Sequence, residues 1–576
     1  MLRKLLPFPA ALALAACATV PATPPAPVEV GIIAINDFHG ALEPPRQSVL
    51  VVRSDGQVGQ VPAGGAAYLA TAVEQVRSKY PNHLTVAAGD LTGGSQLASS
   101  IHLDEPAVGV LSRIGLDFTA VGNHEFDRGT AELARLQRGG CGRNTVRTPC
   151  ALEPFAGASY TYLAANVRGP DGRTLFPGTG LRTFGSGAGA VTVGLIGLTL
   201  KETGSLVSPA AVAGFTFEDE AQTINADVAT LKAQGADAIV VLIHQGEKTG
   251  EPPDPNGCES PTGDLGPILD RLDPRVDVVV SGHTHWQYIC EWPSRDPGKR
   301  FLLTSAGVYG KLVTDIRLAI DPASGRVVTR EAHNVIVQSE PYRGAAGQIE
   351  LSPDYPRFAA DPAIAAYVGR YVQAAEAFSS RAVGKVSGPA SKGQDDESGQ
   401  GGRLGNLIAD AQLAATRGAG AQIALMNPFG IRTALVPADD GTVTFGMLYR
   451  IQPFDNTLVT MSLTGAELKA VLEQGLDEQG PHQWLAPSAG FAFAYDLSKP
   501  VGARITGITL DGRPIDPNAT YRITTNSFLS DGGDSFTLLA KGRDKVIGVS
   551  DIAALEAWVA GDVLRAIPEE QRVTGS

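Results

Sequence analysis

VDVVVSGHTH (276–285) is a β-branched apolar run that breaks off into Gly, Thr and two histidines. A run this short, without polar alternation, suits a strand buried on both faces, as in a sheet covered by helices. The pattern recurs in VEVGIIAIND (28–37), HLTVAAGD (83–90), DFTAVGNHE (117–125), VTVGLIGLT (191–199) and DAIVVLIHQG (237–246). AAYLATAVEQVRSKY (66–80) and EAQTINADVATLKAQG (220–235) lie between them with helical spacing. Buried strands with polar tips, alternating with helices, predict a layered α/β fold whose site lies at the strand ends.

Those tips carry metal-ligand chemistry: Asp37 and His39 in NDFHG, Asp90 in AAGDL, Asn123 and His124 in GNHEFD, His244 in LIHQGE, and His283 and His285 in SGHTH. Taken singly, each has a plainer reading. An Asp after a strand caps a helix or forms a turn, and an isolated His is usually a hydrogen-bonded surface residue. Together they are hard to place by chance, because five of the nine histidines in the chain sit at such tips. Carboxylates and imidazoles suit borderline divalent metals, a carboxylate can bridge two of them, and an Asn carbonyl adds a ligand without charge.

The ordered set D-x-H, G-D, G-N-H-E, H and G-H-x-H resembles the calcineurin-like binuclear metallophosphoesterases. The resemblance implies that Asp37, His39, Asp90 and His285 hold one divalent metal, and that Asp90, Asn123, His244 and His283 hold a second. Zinc, manganese, cobalt and iron all fit such ligands. Some relatives have Gln at the position of His285. The implied reaction is in-line attack on phosphorus by a metal-activated hydroxide. His124 and Asp127 would form a catalytic dyad, the imidazole stabilising the transition state or protonating the leaving group and Asp127 orienting it. Asp127 also suits a helix cap before GTAELARL.

A chain of 576 residues is too long for one core, so two large domains are expected. LSPDYPRFAADP (351–362) is rich in breakers, and 362–381 reads as a helix joining two halves. The second half restarts strand and turn signals, among them an Asp-Gly hairpin turn in TLDGRPID. Its RLGNLIADA (403–411), NPFGIR (427–432), QPFDNTL (452–458) and NSFLSDGGDSF (526–536) resemble the C-terminal domain of 5′-nucleotidases and periplasmic UDP-sugar hydrolases. The fold implied is a four-layer α/β/β/α metallophosphoesterase domain (28–338), a linker with a helix (339–381) and a C-terminal α/β nucleotidase domain (382–570). By that resemblance Phe454 and Phe528 sandwich a base, Arg432 and Arg403 meet phosphate, and Asn427 and Asp534 contact the nucleoside. The chain departs from the family's NGGGIR at Pro428 and Phe429, which stiffen and fill that part of the pocket.

The first 17 residues read as a signal segment, with Arg3 and Lys4 before an apolar stretch too short to span a bilayer. Leu14-Ala15-Ala16-Cys17 resembles a bacterial lipobox, which would make Cys17 a lipidated first residue. The alternative is an ordinary signal peptide. Residues 18–27 read as a Pro/Ala tether. These features imply an exported, lipid-anchored protein of the bacterial periplasm, held at the outer membrane. Export permits disulfides. Of three pairings, the one favoured joins Cys141 to Cys150 across a short polar loop and Cys258 to Cys290. A formal charge of −13 argues against a nucleic-acid polymer as partner and leaves a small nucleotide open. The leading expectation is hydrolysis of nucleoside 5′-phosphates, extending to UDP-sugars or nucleoside diphosphates. The alternatives are a 2′,3′-cyclic phosphodiesterase with 3′-nucleotidase activity, and a non-catalytic binding lipoprotein.

Overall fold

The computed structural model describes residues 26–575 apart from 54, 146, 208–210, 251–253, 293–296, 345–346, 393–398, 455, 479–481 and 562. Cys17 and most of the tether lie outside the described residues. Two six-stranded sheets build the first domain. In one, Val28–Ile35, His83–Ala87, Phe118–Ala120 and Thr161–Leu163 run parallel. In the other, Val191–Thr199, Ala238–His244, Val278–Ser281 and Leu302–Ala306 do so.

The continuous apolar runs are explained by burial on both faces. Val30, Ile32 and Ala34 meet Val278 and Val280 in a core between the sheets. The intervening Ile33 and Ile35 pack against outer helices, among them Ala66–Arg77 and Glu105–Ile114. Val279 faces Glu220–Ala233 on the opposite side. Helix, sheet, sheet and helix are therefore stacked in four layers. The long hairpin Leu312–Asp321 and Arg326–Ile336 finishes one sheet edge. Its outer strand is a mixture of exposed and half-buried positions, with only Asn334 and Ile336 buried, so the apolar-run pattern does not pick it out.

Asp361 caps the connecting helix Pro362–Ser379 by accepting from Ala363 N and Ile364 N, with proline at its first turn. The second domain centres on a five-stranded sheet in which Ile423–Met426, Thr520–Asn526 and Thr457–Thr464 are neighbours. Helices Gly402–Thr416 and Asp551–Val559 cover one face. Asp511 and Gly512 both take positive φ, 50° and 75°, which forms the turn between Ile505–Leu510 and Arg513–Pro514. Disulfides join Cys141 to Cys150 and Cys258 to Cys290. Among the described residues, no helix is long and apolar enough to cross a membrane.

Candidate metal centre and substrate cleft

The tips of the parallel strands in both sheets meet at one point. Asp37, His39 and His285 present donor atoms within 4.8 Å of one another, and so do Asp90, His244 and His283. Asn123 joins the second group, its Oδ1 lying 3.1 Å from both His244 Nε2 and His283 Nδ1. Asp90 Oδ2 stands between the groups, 3.0 Å from His244 Nε2 and 3.7 Å from His39 Nε2.

The tautomers show what this cage is built to hold. His39 Nδ1 lies 2.7 Å from the Gly93 carbonyl and His244 Nδ1 lies 2.8 Å from the Ala88 carbonyl. A carbonyl only accepts, so each Nδ1 carries a hydrogen, and a ring in its neutral form then turns a bare Nε2 inward. His39 Nε2 then faces His285 Nε2 at 3.2 Å, and His244 Nε2 faces two oxygen acceptors. Buried acceptors crowded this closely need a hydrogen or a cation between them. A proton is one answer: burial opposes charge on His244, but Asp90 outweighs it and pushes the imidazole up to about 9. Divalent cations answer the whole set at once, and these donors fit them.

The loops that carry the cage are strained and tightly tied. Asp37, His39, Asp90, His283 and His285 all have φ between 46° and 70°, which non-glycine residues seldom adopt. Backbone bonds from Asp37 N to Gly89 O and from His39 N to Asp90 O stitch neighbouring loops together. His283 N donates to Asp37 and His124 N to Asp90 Oδ1, so each carboxylate also orders a neighbouring loop.

Glu125, which sequence reasoning leaves without a role, anchors the Asp90 bend. Its buried carboxyl accepts from the backbone N–H groups of Asp90, Leu91, Thr92 and Gly122. Burial and the nearby Asp90 push its pKa up to about 7. Its only sequence signal is its place in GNHE. Glu125→Gln turns two acceptor sites into donors facing N–H groups. It is expected to cost about 2–4 kcal/mol of folding stability, measured by urea denaturation.

His124 lies beside the cage, its Nδ1 3.0 Å from Asp127 Oδ2. Burial disfavours its charge, yet Asp127 and Asp90 raise its pKa above the usual histidine value. A cleft of about 880 Å³ opens over these residues, and the second domain forms its other wall with Asn427, Arg432, Phe454, Phe528 and Asp534. Asn427 Nδ2 donates to Asp534 Oδ2 at 2.7 Å, and burial pushes the Asp534 carboxyl up to about 6. The Phe454 ring stacks on His124 with centroids 5.5 Å apart. Phe429, the departure from the family pattern, also lines the cleft.

Arg403 departs from the sequence expectation. It is exposed, donating to the Pro568 carbonyl and pairing with Glu569, and it is absent from the cleft lining. It sits on the first turn of Gly402–Thr416, while the buried side of that helix faces the core.

Residues 31–287 match the family model for calcineurin-like phosphoesterases, and residues 382–541 match that for the 5′-nucleotidase C-terminal domain. The chain is similar to a 5′-nucleotidase precursor from Thermus thermophilus at 26% identity and a TM-score of 0.73, over 95% of this chain and 99% of that one. It is 29% identical over 536 residues to Endonuclease YhcR of Bacillus subtilis strain 168, covering 92% of this chain but only 40% of that protein. It is 25% identical over 577 residues to the 5′-nucleotidase of Diplobatis ommata, with 93% of this chain and 88% of that one aligned.

Proposed function

The chain belongs to the calcineurin-like phosphoesterases that carry a 5′-nucleotidase C-terminal domain, and from that premise we propose that it hydrolyses nucleoside 5′-phosphates with two divalent metals. The observation that carries the reading is the shared cleft: inward-turned donors on one wall, with aromatic rings and an arginine on the other. Bound in the cage, divalent metals would supply charge to the phosphoryl oxygens and lower the pKa of a water. The ligands would be Asp37, His39, Asp90 and His285 on one side and Asp90, Asn123, His244 and His283 on the other.

The chain's own groups do the rest. Asp127 holds His124 Nδ1, so the imidazolium keeps its other proton at Nε2 for the departing oxygen. Arg432 offers a planar fork to phosphate. Phe454 and Phe528 take the faces of the base, and Asp534, held by Asn427, accepts from the ribose diol. Stacking carries no base code, so the enzyme accepts several bases. The same cleft is proposed to admit UDP-sugars, with 2′,3′-cyclic nucleotides as the competing substrate class. Residues 1–17 are proposed to export the chain and Cys17 to anchor it in the bacterial envelope.

The deciding assay measures phosphate released from AMP, UDP-glucose, 2′,3′-cAMP and p-nitrophenyl phosphate, with added metals and with chelator. AMP turnover that chelator abolishes is expected, and a metal-loaded chain inert toward every phosphoester would overturn the proposal. Phe454→Ala and Phe528→Ala are each expected to raise the KM for AMP by about tenfold to a hundredfold, the size of a stacking contact of about 1–3 kcal/mol, with a smaller effect on p-nitrophenyl phosphate, whose single ring has less area to stack. Equal loss on both substrates would remove the rings from base binding.

A further inference from the structure

Away from the metals, a buried pair of hydroxyls crosses between the domains. Tyr449, on the second-domain helix Phe445–Ile451, is 2% exposed. Its hydroxyl lies 2.6 Å from Ser100 Oγ of the first domain and 3.0 Å from the Pro453 carbonyl. Ser100 ends the short helix Leu97–Ser100, and Leu97 is buried in the apolar core of the second domain. Ile101 packs against the cores of both domains. Ser100 Oγ also accepts from Arg128 Nη2 at 3.0 Å, and that guanidinium pairs with the buried Asp104.

The positions of these residues in the chain give the contact its meaning. Arg128 directly follows Asp127, the partner of His124. Pro453 directly precedes Phe454, whose ring stacks on His124. The contacts close a circuit from His124 through Asp127 and Arg128 to Ser100, Tyr449, Pro453 and Phe454, and back to His124. The Tyr449 hydroxyl has one hydrogen and two acceptors within reach, Ser100 Oγ of the first domain and the Pro453 carbonyl of its own, so the two domains share its single donor.

We propose that Tyr449 and Ser100 are positioning residues that latch the substrate wall of the cleft onto the metal wall, setting where Phe454 stands relative to His124. The inference rests on the nucleotide reading above. Losing the latch loosens a substrate contact made through Phe454 and leaves the metal cage intact. Its effect should therefore fall on the KM for a nucleotide more than on kcat. Phenylalanine keeps the packing of Tyr449, and alanine at 100 keeps the short helix.

The test is a double-mutant cycle of Tyr449→Phe and Ser100→Ala, read on AMP and on p-nitrophenyl phosphate. Each single variant is expected to raise the KM for AMP about fivefold, the size of one lost hydrogen bond, and the double variant no further than the larger single. p-Nitrophenyl phosphate, whose single small ring offers less stacking area than a purine, should change by less than AMP does. Additive losses in the cycle, or equal losses on both substrates, would overturn the latch while leaving the nucleotidase reading intact. A wild-type chain without metal-dependent AMP hydrolysis would take down that reading and the latch with it. Should Tyr449→Phe fail to fold, Ser100→Ala reads the same contact from the other domain, and an unchanged KM would overturn the proposal.

Discussion

Asp90→Asn is expected to give a folded protein that has lost its metals and on the order of 10³-fold or more of its turnover. The change alters shape very little. The Oδ1 position can still accept from His124 N, as it does at 2.9 Å in the native chain. The Oδ2 position is where the damage falls. It faces His244 Nε2 at 3.0 Å and His39 Nε2 at 3.7 Å, and an amide nitrogen there would donate to those lone pairs. The cage would then be satisfied by hydrogen bonds, leaving little for a cation to gain. Metal per chain, counted by mass spectrometry beside kcat, checks the prediction. Full metal content with activity close to wild type would show that Asp90 is not shared between two ions.

His124→Ala is expected to cost about 10²–10⁴ in kcat on AMP, the usual weight of a positioned proton donor. The argument is the local charge balance. Burial opposes protonation, but Asp127 at 3.0 Å and the nearby Asp90 reverse that and favour the imidazolium. A nucleoside 5′-alkoxide needs that proton as it leaves, whereas the phenolate of p-nitrophenyl phosphate departs without one. The loss on the aryl ester should therefore be much smaller. Similar losses on both esters would make His124 a stabiliser of phosphoryl charge instead. The ring also supports Phe454, so a rise in the KM for AMP should accompany the fall in kcat.

Much of the site is legible in the sequence because its residues sit where a period changes. Val278–Ser281 and its neighbours are apolar on both faces, and the first polar residue after each run falls at a strand end. The same logic hides other parts. The hairpin 312–336 has one partly exposed strand and no abrupt tip. Glu125 acts by accepting backbone N–H groups, a role that any Glu can fill and no spacing marks. Ser100 and Tyr449 are 349 residues apart and meet only because the domains are folded against each other. Arg403 stands close to GNL along the chain, but the helix phase turns it toward Glu569 and away from the cleft.

The cleft's two walls come from separate stretches of the chain, with the cage drawn from residues 37–285 and the facing wall from residues 426 onward. On the proposed reading, the reaction at phosphorus and the choice of phosphoester are thus written in different parts of the gene. Recombination or drift in the later part could redirect the catalyst to a new metabolite without disturbing a single ligand. Ancestry traced through the cage and ancestry traced through the facing wall need not then give the same tree.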